Sequence, residues 1–276
     1  MQMVKKNFFL FITILICMAL FCACNESNHT ETTKDTTNDT AKDTTVHLDY
    51  TLSEDGKTLL TYVPKETTES FTVPEGVETV MANAFSNVEG LKELTFSSTV
   101  KTIEGPFDFL LCEKIVIPAT VENVTLAFYN CPNLREIVCA APIAEFSTVT
   151  NCPALESLTL PDTVSEFGVW AFDLTPALKE IRIYGRDLVR DEAFEAHCGG
   201  KVIYLPEGLT KLNAEQLLGL REDYGLYFPD SLETLNIVGF GSWAHPARTI
   251  SVASHTAIVG EETANYHNIT VRPSPS

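Results

Sequence analysis

From Phe71 onward, apolar residues fall into slots that recur every 21 to 23 residues. Each unit opens with a short alternating run: Phe71-Thr72-Val73, Leu94-Thr95-Phe96, Ile115-Val116-Ile117, Ile137-Val138-Cys139, Leu158-Thr159-Leu160, Ile181-Arg182-Ile183, Ile203-Tyr204-Leu205 and Leu226-Tyr227-Phe228. Alternation at a period of two predicts strands whose first and third residues point inward and whose second points out. A turn follows, often at a proline (Pro74, Pro118, Pro161, Pro206, Pro229), which has no amide to give to a ladder. Two apolar residues three apart come next, as in Val77/Val80, Val100/Ile103, Val121/Val124, Ile143/Phe146, Val164/Phe167, Leu209/Leu212 and Leu232/Leu235. An Ala-Phe pair then fills a core slot at Phe85, Phe128 and Phe172, and Phe107 and Phe194 are expected in the same slot with slipped spacing. A leucine (Leu91, Leu134, Leu155, Leu178) leads into the next strand.

A fixed period of this length predicts a solenoid: no unit buries its own apolar face, and stacking makes one continuous core. The expected fold is a right-handed coil with a parallel sheet on one side and short helical or 3-10 turns on the other. Residues 50–63, with Glu54-Asp55-Gly56 at a turn, predict a hairpin within an N-terminal cap over 48–70. The repeats run over 71–238, and 239–276 is expected to be a C-terminal cap or irregular tail, with strand-like Ile250-Ser251-Val252 and Ile269-Thr270-Val271.

The slot pattern, closest in LREIVCAAPIAEF and LESLTLPDTVSEFGVWAF, resembles the BspA-type leucine-rich repeat. That resemblance implies adhesion to host or matrix proteins, or to other cells, through the solenoid.

The start of the chain changes the picture. Lys5 and Lys6 precede an uncharged, mostly apolar run from Phe8 to Ala23, too short for a spanning helix and suited to a signal-peptide core. Leu20-Phe21-Cys22-Ala23-Cys24 resembles a bacterial lipoprotein box, which implies cleavage after residue 23, lipid on Cys24 and a cell-envelope location. Residues 24–47 are rich in Thr and Asp and nearly free of large apolar groups, so they are expected to form a flexible tether. The triplets beginning at Asp35, Asp39 and Asp43 leave a plain spacer and an O-glycosylated stalk both open.

The 276 residues carry 19 Lys and Arg against 37 Asp and Glu. That acidity argues against nucleic acid as a partner, because like charges repel. Loss of residues 1–23 would leave 17 basic residues and an odd set of five cysteines in the body: Cys112, Cys131, Cys139, Cys152 and Cys198. Cys131 and Cys152 hold one slot in neighbouring coils, a spacing that favours a thiol ladder over a disulfide.

Catalytic constellations are sparse. Gly239-Phe240-Gly241-Ser242-Trp243-Ala244 has the form of a dinucleotide turn, but His245-Pro246 follows where the mechanism requires a helix. His245, His255 and His267 lack metal-ligand spacing, and Glu261-Glu262 lacks a calcium-loop pattern. The expectation is therefore a monomeric, non-enzymatic protein with no cofactor and no metal. Its candidate partner surface is the outward strand row Thr72, Thr95, Val116, Val138, Thr159, Arg182, Tyr204 and Tyr227, although β-branched residues also suit any pleated surface. The alternative is an envelope module or glycan-binding lipoprotein with aromatics at Tyr224, Tyr227 and Trp243.

Overall fold

The computed structural model describes residues 49–273, apart from 65, 67, 169, 170, 189, 218, 219, 221, 239–248 and 261–267. The signal, Cys24, the tether, the Gly239–Ala244 motif, Trp243, His245, Glu261-Glu262 and His267 lie outside the described residues.

The chain winds as a parallel β-solenoid with little helix. Six strands stack in register to form a front sheet: Ser70–Val73, Glu93–Phe96, Lys114–Ile117, Glu136–Cys139, Ser157–Leu160 and Glu180–Ile183. The alternation sends Leu94, Ile115, Ile117, Ile137, Leu158 and Leu160 inward, where each is fully buried. Prolines turn the chain out of the sheet: the amides of Val77, Val121, Val164 and Leu232 donate to the carbonyls of Pro74, Pro118, Pro161 and Pro229. The apolar pairs that follow line a second wall of two- and three-residue strands. It runs from Thr79–Met81 through Thr102–Glu104 to Asn123–Val124. A third wall holds Phe107–Asp108, Ala127–Tyr129 and Thr148–Thr150. Much of the far side is thus narrow strand, with 3-10 turns at Ala82–Phe85 and Ala214–Leu217.

The aromatic filler is continuous only in part. Phe107 and Phe128 stack at 5.0 Å, but Val149 takes the next position, and Phe146 then packs on Phe172 at 5.7 Å. At the start, Tyr50–Leu52 and Thr58–Tyr62 form an antiparallel hairpin whose second strand lies parallel on Thr79–Met81. Tyr62 seals that end by packing on Phe71 and Phe85.

The coil does not stop at residue 238. A distal sheet of four parallel strands contains Val202–Tyr204, Gly225–Tyr227, Thr249–Ala253 and Asn268–Arg272. Ala257–Val259 likewise extends the second wall from Thr234–Asn236. Ile250, Ile258 and Ile269 continue the apolar slots across a stretch where Gly, His and Pro blur the pattern.

Charge is ordered along the stack. Glu69, Lys92, Glu113, Arg135, Glu156 and Lys179 succeed one another, each amide bonding to the carbonyl one coil back. Lys57, Glu78, Lys101 and Glu122 do the same on a second edge. In the three coils charged on both edges (Glu69/Glu78, Lys92/Lys101 and Glu113/Glu122) the two edges carry the same sign, and the sign alternates. Ion pairs close between neighbours, including Arg135–Glu156 at 2.9 Å, Lys179–Glu156 at 2.7 Å and Lys57–Glu78 at 2.7 Å.

Candidate functional site: the outer sheet face

The expected row divides into two groups with different surroundings. Thr72, Thr95, Val116, Val138, Thr159 and Arg182 are register partners across the front sheet. All six are half-buried or exposed, and the Thr72 and Thr95 hydroxyls hydrogen-bond at 2.7 Å. Beside them runs a second outward row, Glu93, Lys114, Glu136, Ser157 and Glu180, in which Lys114 pairs with Glu136 at 3.1 Å. The face is a β-branched stripe between charged margins, and Arg182 at its end pairs with Glu180 at 2.6 Å.

Tyr204 and Tyr227 belong to the distal sheet and are covered. Between Glu180–Ile183 and Val202–Tyr204 the parallel ladder is interrupted, so the two sheets meet at a seam. In the intervening coil the chain crosses the outer face of the distal sheet. Helix α1 (Glu192–His197) lies there, capped by the Asp191 side chain accepting from the Phe194 amide at 3.0 Å. Phe194 is therefore not in the core slot that its spacing suggests: its ring meets the outward Tyr227 ring edge-on at 5.8 Å. The back wall closes without this coil, where Gln216 Nε2 donates to the Phe167 carbonyl.

Under α1, Tyr204 is only 6% exposed. Its hydroxyl accepts from the Asp191 amide at 2.9 Å and donates to Glu195 Oε1 at 3.2 Å. Burial pushes the Tyr204 phenol up to about 12 and raises Tyr227 too. The Tyr227 ring packs on Tyr204 at 4.8 Å and lies under the Arg272 guanidinium at 3.9 Å. Arg272 is fixed by Ser251 Oγ, the Phe228 carbonyl and Asp230 Oδ1. Gly225 completes the floor, because a Cβ there would lie 2.4 Å from Cys198 Sγ. The proposed aromatic platform for sugar is therefore closed at Tyr227, Tyr224 is half-buried, and Trp243 is outside the described residues.

Cavities of about 200 Å³ flank the seam on either side. One is lined by Arg182, Arg186, Leu188, Tyr204, Pro206 and Tyr227. The other is lined by Lys179, Glu180, Leu188, Arg190, Tyr204 and Tyr224. A wider groove of about 580 Å³ lies where the second wall breaks between Asn123–Val124 and Glu145–Phe146, and Glu104, Glu122 and Glu145 line it.

The five body cysteines are free thiols, and all but Cys198 are buried. Burial pushes Cys112 and Cys139 up to about 12. The neighbouring Cys152 sulfur, together with burial, pushes Cys131 far above the ordinary thiol range. Thiols held protonated in this way are poor nucleophiles. His255 Nε2 lies 2.8 Å from the Asp230 carbonyl, a structural contact in the coil. Among the described residues, no group of three or more His, Cys, Asp or Glu side chains is placed to hold a metal ion. Nor is any described helix long and apolar enough to cross a membrane.

Comparison with known proteins places this geometry. A family model described as BspA type leucine rich repeat region matches six copies over residues 62–149 and 147–268. No curated protein matches the chain. Similar solved structures include the pneumococcal vaccine antigen PcpA, at 18% identity and TM-score 0.40, covering 82% of this chain and 72% of that one. A T. pallidum leucine-rich repeat protein is 18% identical with TM-score 0.41, covering 72% of this chain and 88% of that one. A Bacteroides ovatus leucine-rich repeat protein is also 18% identical, with TM-score 0.31, over 82% of this chain and 76% of that one.

Proposed function

The chain belongs to the BspA type leucine-rich repeat family, and from that premise we propose that it is a non-enzymatic recognition protein of the bacterial cell surface. It is lipid-anchored through Cys24, held off the membrane by residues 24–47, and binds a protein partner on the front sheet. The observation that carries this reading is the open double row on six in-register strands. A preformed sheet loses little entropy when a partner docks, so even a shallow surface binds productively. Val116 and Val138 form the apolar centre, and the alternating charges at its margin steer orientation more than they add affinity.

The test is capture of host, matrix and cell-wall proteins by the full chain and by Val116→Arg and Val138→Arg variants. Both substitutions are expected to leave the thermal transition in place and to reduce capture of a specific partner at least about tenfold, as loss of a central contact does. Capture that survives both substitutions would show that the front sheet is not the binding face. A glycan array run beside it separates protein from sugar recognition. Replacing Cys24 with Ser, followed by fatty-acid labelling, tests the anchor.

A further inference from the structure

The front and distal sheets carry equivalent outward rows, yet only the distal row is covered. Its cover, residues 190–200, is lightly held. Phe194 is its only buried side chain. Two polar contacts join the cover to Tyr204, a third joins His197 Nε2 to Asn268 Nδ2 at 2.7 Å, and Arg190 bonds Glu195 within the cover itself at 3.0 Å. The stretch ends at Gly199 and Gly200, both at positive φ, and Gly185 precedes it in the same conformation. A segment anchored by one buried ring and one half-buried thiol over Gly225 opens at low free energy compared with core strands.

The surface beneath is complete without the cover. Tyr204 and Tyr227 pack on each other, and Arg272 is fixed over Tyr227 by contacts that use no cover residue. The cover brings one cation, Arg190, and three acids, Asp191, Glu192 and Glu195. It supplies an aromatic ring edge-on to Tyr227 and a carboxylate to the Tyr204 hydroxyl. When it lifts, the Tyr204 hydroxyl loses its partners and Tyr227 loses the Phe194 ring but keeps Tyr204 and Arg272, while Lys179, Arg182, Arg186 and Arg272, each paired with an acid, remain around the seam beside Asp187 and Glu207.

We propose that residues 190–200 are a displaceable cover, and that the site beneath takes a segment of a partner protein presenting an aromatic ring followed by a carboxylate, in place of Phe194 and Glu195. The proposal rests on the recognition reading above and deepens it. With the cover displaced, Tyr204 and Tyr227 extend the row that ends at Arg182, so one partner can engage both sheets.

The probe is a labelled octapeptide copying residues 190–197, titrated into the full chain. Phe194→Ala is expected to bind it at least about tenfold tighter than the unmodified protein, because the competing internal ligand has lost its anchor. A peptide with alanine in place of its phenylalanine should lose that gain. Equal binding to both proteins overturns the proposal. Hydrogen exchange on the unmodified protein guards against a variant that fails to fold. Amides of 190–200 should exchange at least about a hundredfold faster than those of 202–204 and 225–227, and equal rates overturn the proposal. Val138→Arg should leave peptide binding unchanged, so failure of the front-face reading and failure of this one are separable.

Discussion

Asn151 Nδ2 donates to Asn130 Oδ1 at 2.9 Å, and both residues sit in the left-handed region, at φ 55° and 53°. Asn130 donates in turn to Asp108 Oδ1 at 3.0 Å. The same corner of the coil places Asn87, Phe109 and Leu174 at φ 59°, 53° and 53°. Asn tolerates this conformation because its short amide bonds locally, whereas larger side chains crowd the following carbonyl. Phe109 and Leu174 are also 47% and 58% exposed, so burial returns little for the strain.

Leu174→Asn should therefore stabilise the protein, by about 1 kcal/mol. Chemical denaturation measures it through the midpoint. A lower midpoint would mean that Leu174 contributes packing beyond its exposed geometry.

Phe128→Ala should have the opposite effect and a larger one. Phe128 is fully buried, stacked on Phe107 and in register with Val149. A cavity there costs about 3–5 kcal/mol, visible as a large drop in the denaturation midpoint. A loss under about 1 kcal/mol would mean that the coil collapses to fill the space.

Glu156 accepts from both Arg135 and Lys179, and the Lys179 bond followed by its charge holds the Glu156 carboxyl below its ordinary value. Glu156→Lys would put three cations in a column. A melting temperature a few degrees lower is expected, with the deficit shrinking in about 1 M salt, where charges are screened within about 3 Å. A salt-independent deficit would point to packing instead of charge.

Alkaline pH should loosen the cover. Unfolded, a tyrosine ionises near pH 10; folded, Tyr204 stays neutral up to about 12. Its contribution is fully present below pH 10 and is lost as pH rises through about 12. Tyr204→Phe should remove that component from a 295 nm absorbance titration and from the near-ultraviolet dichroism change that accompanies it. Loss of amplitude near pH 10 instead would mean that the phenol ionises freely in the native state.

Alkylation mapped by mass spectrometry should find Cys112, Cys131, Cys139 and Cys152 silent in the native protein, because all four sulfurs are buried out of reach of the reagent, and burial also holds Cys112 and Cys139 protonated. Cys198, half-buried against Gly225, should react slowly, at the rate at which the cover opens. Fast labelling of Cys131 or Cys152 would contradict the packed thiol ladder.

The strands, proline corners and N-terminal hairpin were legible because each repeats or alternates with a period that sterics impose. The cover was not. Ala193-Phe194 resembles the core pair by count, but no apolar pair three apart follows Ile183 as it does after the other strands. That gap was the available signal that this coil leaves the back wall, and it explains why Tyr204 and Tyr227 are packed where an open row was expected. The charge order was equally readable at positions 69, 92, 113, 135, 156 and 179, but only once residues one coil apart are set side by side.

That charge order gives the array a parity. Deleting the single coil that carries Glu113 and Glu122 would set Lys92 against Arg135, and deleting the one with Glu69 and Glu78 would set Lys57 against Lys101. Deleting the coils of Lys92 and Glu113 together would instead set Glu69 against Arg135, and deleting those of Glu78 and Lys101 together would set Lys57 against Glu122. The stack is therefore electrostatically paired two coils at a time, so loss of one charged coil costs a like-charge contact that loss of an adjacent pair does not.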